Sequence, residues 1–284
     1  MTLIDKLNLA VLTRNKGYAG TGSSLNVSIN IDGIDVVSHH VVFLPPFDIE
    51  RANAGILPVA DTAESPISFD TDSLTNSSIR VGITGDNVWK PEHILLLGRT
   101  DPASNEVVQY IPLATEIDIR DDKEGYLSAD TSEGRLTRPL RLVGLGSDST
   151  VIRRVLLLIR TDNGDDDGTD DPIELQIRVG GGIALQQQIN GTPQDDLEKE
   201  SHNWYFLNVA VPFTRSDVRS NGGIQLRILG NDAWRPREVY VYGFDTAEGR
   251  PTEIVHLSSM TSWSFGPLSA DPSEGVSFVE LPVS

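Results

Sequence analysis

The chain has 284 residues, with 23 Lys and Arg against 41 Asp and Glu, a formal net charge of −18 and no cysteine. This length suits two domains, each large enough to bury a core without a disulfide or a structural metal. The missing cysteines remove thiol catalysis and Cys-ligated zinc, and the acidity argues against nucleic acid and against anionic membranes, whose charges need clustered Lys and Arg.

In chain order, Met1 to Asn15 is broken by Asp5, Lys6 and Arg14 and holds no signal-peptide core. No run reaches the roughly 18 apolar residues that span a bilayer. The expectation is a soluble chain, either an intracellular product or a processed form, with its compartment undetermined. The dominant pattern is period two: Leu25, Val27, Ile29 and Ile31 alternate with polar residues, and so do Ile173, Leu175, Ile177 and Val179. Further strands are predicted at 7–12, 79–83, 94–97 and 107–111. In the second half they are predicted at 155–159, 205–211, 224–229, 239–242 and 253–257. Gly, Pro, Asn and Asp clusters between them close turns. The best helix candidate is the acidic stretch Asp195 to Ser201. Gly144 to Ser149, small and polar, reads as a linker.

The halves repeat each other. Gly85-Asp86-Asn87-Val88-Trp89-Lys90-Pro91 and the strand after it align with Gly230-Asn231-Asp232-Ala233-Trp234-Arg235-Pro236 and its strand, 145 residues on. Gly20-Thr21 answers Gly168-Thr169, and Leu127-Ser128-Ala129-Asp130 answers Leu268-Ser269-Ala270-Asp271, in the same order. So long a period implies whole domains rather than solenoid units. The predicted architecture is all-β: two tandem antiparallel β-sandwiches arising from internal duplication, residues 1–145 and 147–284.

Two features carry candidate chemistry. From Asn163 to Glu174, oxygen-bearing side chains fall at loop positions 1, 3, 5, 9 and 12 with Gly168 at position 6, the spacing of a twelve-residue Ca²⁺ loop. Candidate ligands in it are Asn163, Asp165, Asp167, Asp170, Asp171 and Glu174, with Asp232 reaching in from the next loop. Asn163 stands where Asp is usual, Asp170 takes a normally apolar place, and the flanks read as strands. The alternative is a solvated acidic hairpin tip, and the first half has no acidic counterpart, so any Ca²⁺ site is expected in the second domain alone. Trp89 and Trp234, each followed by a cation and a proline, suit ligand or membrane contact; alternatively each indole plugs one end of its sandwich.

The second half resembles the PLAT, or lipoxygenase-homology, domain. The residues concerned are Leu156 to Asp162 leading into Gly168-Thr169-Asp170, then Gly230-Asn231-Asp232-Ala233-Trp234 before Val239-Tyr240-Val241. The first half departs from the pattern at Ser23 and Ser24. The resemblance implies a β-sandwich that docks to membranes or proteins, in some members with Ca²⁺; it points to Asp162, Asp170 and Asp232 as ligands and to Trp234 as an interface residue. There is no Gly-x-Ser-x-Gly elbow, His-Glu-x-x-His pair or phosphate-binding glycine loop. His39, His40, His93, His202 and His256 read as surface or satisfied core residues. The expected function is therefore a non-enzymatic binding or assembly module whose partner is lipid, carbohydrate or protein. A structural or toxin component of a larger assembly, and a hydrolase with an unrecognised site, are the alternatives.

Overall fold

The computed structural model describes residues 2–17, 19–41, 54–59, 67–100, 109–164, 167–189, 197–198 and 201–284. They form a mostly β structure whose sheets are antiparallel apart from one short parallel contact. The chain divides into two compact units, Met1–Val143 and Gly144–Ser284.

In the first unit the strands are β1 (Leu3–Thr13), β2 (Leu25–Ile31), β3 (Ile34–Val41), β4 (Ala54–Pro58), β5 (Phe69–Asp70), β6 (Ser77–Ile83), β7 (Pro91–Thr100), β8 (Tyr110–Glu116) and β9 (Thr137–Leu142). One layer runs β4-β1-β7-β8, with β5 on β1, and the other runs β3-β2-β6-β9. Strand β9 joins them, since Thr137–Leu140 pair with β6 while Arg141 and Leu142 pair with β8. Leu7, Leu9 and Val11 from one layer meet Leu25, Val27, Ile29, Ile79 and Val81 from the other in a single core. Period two makes this arrangement: every second side chain turns inward, and each one buried contributes on the order of 1.5–3 kcal/mol.

The second unit contains β10 (Gly144–Leu145), β11 (Ile152–Thr161), β12 (Ile173–Val179), β13 (Gly182–Gln188), β14 (His202–Phe213), β15 (Gly223–Ile228), β16 (Pro236–Phe244), β17 (Glu253–Met260) and β18 (Phe278–Leu281). Its layers are β14-β11-β16-β17, with β10 added beside β17, and β13-β12-β15-β18. Strand for strand, this is the order of the first unit. The predicted linker is thus partly structured: Gly144 N–H donates to Thr252 O (3.0 Å) and Gly146 N–H to Ile254 O (3.0 Å), making Gly144 and Leu145 a strand of the second unit.

The helix expected at Asp195–Ser201 falls largely outside the described residues. A helix the alternation did not announce, α1 (Arg215–Asn221), precedes β15 and is closed by a capping box in which Thr214 and Asp217 satisfy each other's backbone N–H groups. In the first unit the matching place, before β6, holds a 3-10 turn at Thr71–Asn76 capped by Asp70. His256 on β17 is buried with its ring 5.7 Å from that of Tyr242. Burial, then the nearby Arg215, pushes its pKa down to about 3. His202 on β14 is lowered to about 4 by burial, then by Arg160 and Arg237.

Candidate functional site

Both tryptophans lie at the end of their unit where the loop before β7, or before β16, meets the loop between the last two strands. Each is fully buried. Trp89 N–H donates to Leu127 O (2.8 Å) and accepts Leu127 N–H in return (2.9 Å); Trp234 and Leu268 do the same at 2.8 and 2.7 Å. The indole Nε1 of Trp89 donates to Thr13 Oγ1 (3.0 Å) and that of Trp234 to Thr161 Oγ1 (3.3 Å), in each case at the end of the central strand. The polar tip of each ring is satisfied inside and its apolar body seals the core. Neither ring is available to a membrane or a sugar, so the contact role is corrected to the structural alternative.

The remainder of this corner matches as closely. Ser128 Oγ donates to Asp86 O (3.1 Å) and accepts from Asp130 N–H (3.1 Å); Ser269 Oγ donates to Asn231 O (2.8 Å) and accepts from Asp271 N–H (3.1 Å). Asp130 and Asp271 each accept a backbone N–H, from Ser132 and Ser273 (both 2.8 Å), and these serines hold both carboxyls below their usual pKa. The Thr13, Thr161, Ser132 and Ser273 partners were not singled out from sequence. Ser132-Glu133-Gly134 and Ser273-Glu274-Gly275 are a legible extension of the third repeated segment; the threonines lie more than 70 residues from their tryptophans and have no local signature.

The described part of the acidic loop is committed elsewhere. Asp167 is buried, accepts Gly164 N–H (2.5 Å) and sits 3.7 Å from the Arg235 guanidinium. Asp171 accepts Asp232 N–H (2.6 Å), and its own N–H donates to Thr169 Oγ1 (3.0 Å). It also lies where a Cβ on Gly230 would come within 2.0 Å of its carboxyl carbon, so that glycine makes the close approach. Ser23 occupies the matching place against Gly85, with its N–H on Thr21 Oγ1 (3.0 Å), which identifies this contact as framework rather than ligand chemistry. Glu174 is not on the loop at all. It belongs to β12, accepts from Gln186 Nε2 (2.9 Å) and lies 3.6 Å from Arg227. Asp162 accepts Asn163 N–H (3.0 Å), while Asn163, Asp170 and Asp232 are exposed. Asp165 lies outside the described residues. Among the described residues no group of three or more His, Asp or Glu converges to hold a metal ion.

Around the shared corner the surfaces diverge. In the first unit Asp121 accepts Tyr126 O–H (2.6 Å) and Lys16 Nζ (3.0 Å), Arg120 pairs with Asp122 (2.7 Å), and Arg135 pairs with Glu124. Tyr126 and Lys16 hold the Asp121 carboxyl below its usual range, and Asp121 in turn raises Lys16. In the second unit the corresponding loop carries Trp263 and Phe265, packed edge to face at 5.4 Å, with Trp263 Nε1 donating to Gly266 O (2.5 Å).

Compared with known proteins, the chain matches no family, no curated sequence and no solved structure.

Proposed function

We propose that the chain is a non-enzymatic binding module made of two PLAT-like β-sandwiches related by internal duplication. The single observation behind this reading is one framework carrying two different sets of end loops. Strand order and the Trp–Leu, Trp–Thr and Ser–Asp contacts recur in both units, whereas the loops around them change from an ion network to aromatic and acidic residues. A rigid scaffold with diversified loops is how folds acquire new partners without new cores. This reading does not depend on Ca²⁺: Asp167 and Asp171 already accept backbone N–H groups, and Asp167 lies beside Arg235.

The test is a binding panel on the intact chain: neutral and acidic polysaccharides, lipid vesicles and peptide libraries, read by biolayer interferometry, with ester and glycoside turnover assayed in parallel. Saturable binding to one class without turnover is the expected result. Turnover of any substrate in the screen would make the chain a hydrolase and overturn the reading. Light scattering would reassign it to a structural component if the chain formed a large, regular particle on its own.

A further inference from the structure

Four positions, three of them matched by backbone hydrogen bonds and one by its offset from such a bond, change character together between the two units. Ile83 N–H donates to Leu136 O as Ile228 N–H does to Ser277 O, which aligns the next residues, Thr84 and Leu229. Arg135 and Val276 both bridge to the leucine of the Trp–Leu pair and donate N–H to Tyr126 O and Pro267 O. Thr137 pairs with Gly82 as Phe278 pairs with Arg227, and Glu124 and Phe265 each stand two residues before the carbonyl just named. The first unit therefore has Thr84, Glu124, Arg135 and Thr137 here, with Arg135 and Glu124 ion-paired. The second has Leu229, Phe265, Val276 and Phe278, exposed at 38%, 46%, 44% and 50%. The fold does not require apolar residues at these positions, since its other copy manages with charged and hydroxyl side chains. Continuing the β15–β18 register sets Leu229 opposite Val276, and Phe278 follows Val276 by two residues on the same outward face, while Phe265 stands two residues from Pro267, whose carbonyl holds Val276 N–H. Exposed apolar groups on one face mark an interaction site.

We infer that Leu229, Phe265, Val276 and Phe278 form a docking surface for an extended, basic and apolar segment of a partner protein; this rests on the binding-module reading. Charge selects the partner. Glu280 is exposed on the same face of β18 as Phe278, Asp232 and Glu274 are exposed three residues after Leu229 and two before Val276, and Asp271, three residues before Glu274, is half-buried. Arg227 on β15, Arg178 on β12 and Arg235 each face a carboxylate already, Glu174, Glu280 and Asp167 in turn. The rim is therefore net negative and the centre apolar, the complement of alternating Lys or Arg and apolar residues. An extended shape follows from β18, which ends the layer β13-β12-β15-β18 and presents Phe278 and Glu280 on one face two residues apart, the spacing at which alternate side chains of an added strand align.

The experiment selects a library of short random peptides on the immobilised intact chain, then measures synthetic versions of the selected sequences by fluorescence anisotropy. The decisive variant combines Leu229→Thr, Phe265→Glu, Val276→Arg and Phe278→Thr, giving the second unit what the first already accommodates, with its melting temperature checked. Expected are selected peptides rich in Lys or Arg and apolar residues, at least about tenfold weaker binding in the variant, and weaker binding as salt rises from ~50 to ~500 mM. A second variant, Asp232→Asn with Glu274→Gln, should flatten that salt dependence while leaving the apolar contacts in place. Peptides that bind both proteins equally, or no enrichment at all, would overturn the inference. So would phosphatidylcholine vesicles that sediment the wild type and not the fourfold variant, since the surface would then serve lipid. Saturable glycan binding that the fourfold variant retains would leave the module reading standing and the peptide inference refuted.

Discussion

The two units differ least where they are most buried and most where loops meet solvent. At the tryptophan corner every contact described in one unit has a counterpart in the other, down to a Thr hydroxyl on the indole N–H and an Asp that accepts from the serine two residues on. In the loops nearby, the place of an Arg–Glu pair in one unit is taken in the other by exposed aromatic and aliphatic residues. Close-packed interiors resist change because a missing or extra methylene is felt at once, whereas loop residues exchange at little cost.

The largest effect should come from removing the shared lock. Trp89→Ala and Trp234→Ala each empty a fully buried site and should cost about 3–5 kcal/mol. Trp→Phe should be milder, keeping most of the apolar body and losing the bond to Thr13 or Thr161. Hydrogen exchange read separately on β7 and β16 would show whether the damage is equal. A large loss in one unit beside a negligible loss in the other would break the equivalence of the two corners.

Acid should separate the units next. His202 and His256 in the second unit stay neutral in the folded chain down to about pH 4 and about pH 3, while the unfolded chain takes up those protons near pH 6.5. Their contribution to stability is therefore present above about pH 6.5 and is lost as pH falls towards those folded values. The loss is on the order of a few kcal/mol. His256→Gln should reduce the fall in melting temperature between neutral and mildly acidic buffer. An unchanged pH profile in that variant would show that His256 does not carry this linkage.

Much of the architecture is legible in the residues. Alternation places β2, β6, β11, β12, β15 and β16 closely, and the repeated Gly–Trp–Pro segments point to matching corners. The amide-rich strand Gly182–Gln188 and the four-residue β18 escape notice, because one looks like loop composition and the other is too short to show a period. Helix α1 is announced by Thr214-Arg215-Ser216-Asp217, a capping pattern less conspicuous than the acidic run before it. The period-two pattern already places Glu174 in the strand Ile173–Val179, whereas loop spacing does not reveal that Asp171 stands where Ser23 does. The Leu229, Phe265, Val276 and Phe278 surface becomes visible only once backbone hydrogen bonds align Val276 with Arg135 and Phe278 with Thr137.

A smaller effect distinguishes the segments before β6 and β15. Thr214→Ala removes the side-chain acceptor for Asp217 N–H and leaves that first-turn donor only its 3.1 Å bond to Thr214 O, at about 1 kcal/mol. Asp70→Ala removes the side-chain cap on Asp72 N–H in the 3-10 turn, at a similar or smaller cost. Chemical denaturation of both variants measures the pair. A Thr214→Ala variant as stable as the wild type would show that the cap is dispensable beside the packing of Val218 and the bonds of Arg215, Ser216 and Arg219 to Asp148.

The smallest expected effect is that of Ca²⁺ on the acidic loop. A cation binding only the folded state would stabilise it by about 2.7 kcal/mol at a hundredfold excess over its dissociation constant, a readily visible rise in melting temperature. To recruit Asp167 and Asp171 it would have to take the first from Gly164 N–H and Arg235 and the second from Asp232 N–H. The melting temperature in millimolar Ca²⁺ should therefore match that in a chelator, and Asp167→Asn should destabilise equally in both. A Ca²⁺-dependent rise that Asp167→Asn abolished would show that this carboxylate prefers a metal to Arg235, and the acidic loop would then join the apolar surface as a second specialisation of this unit.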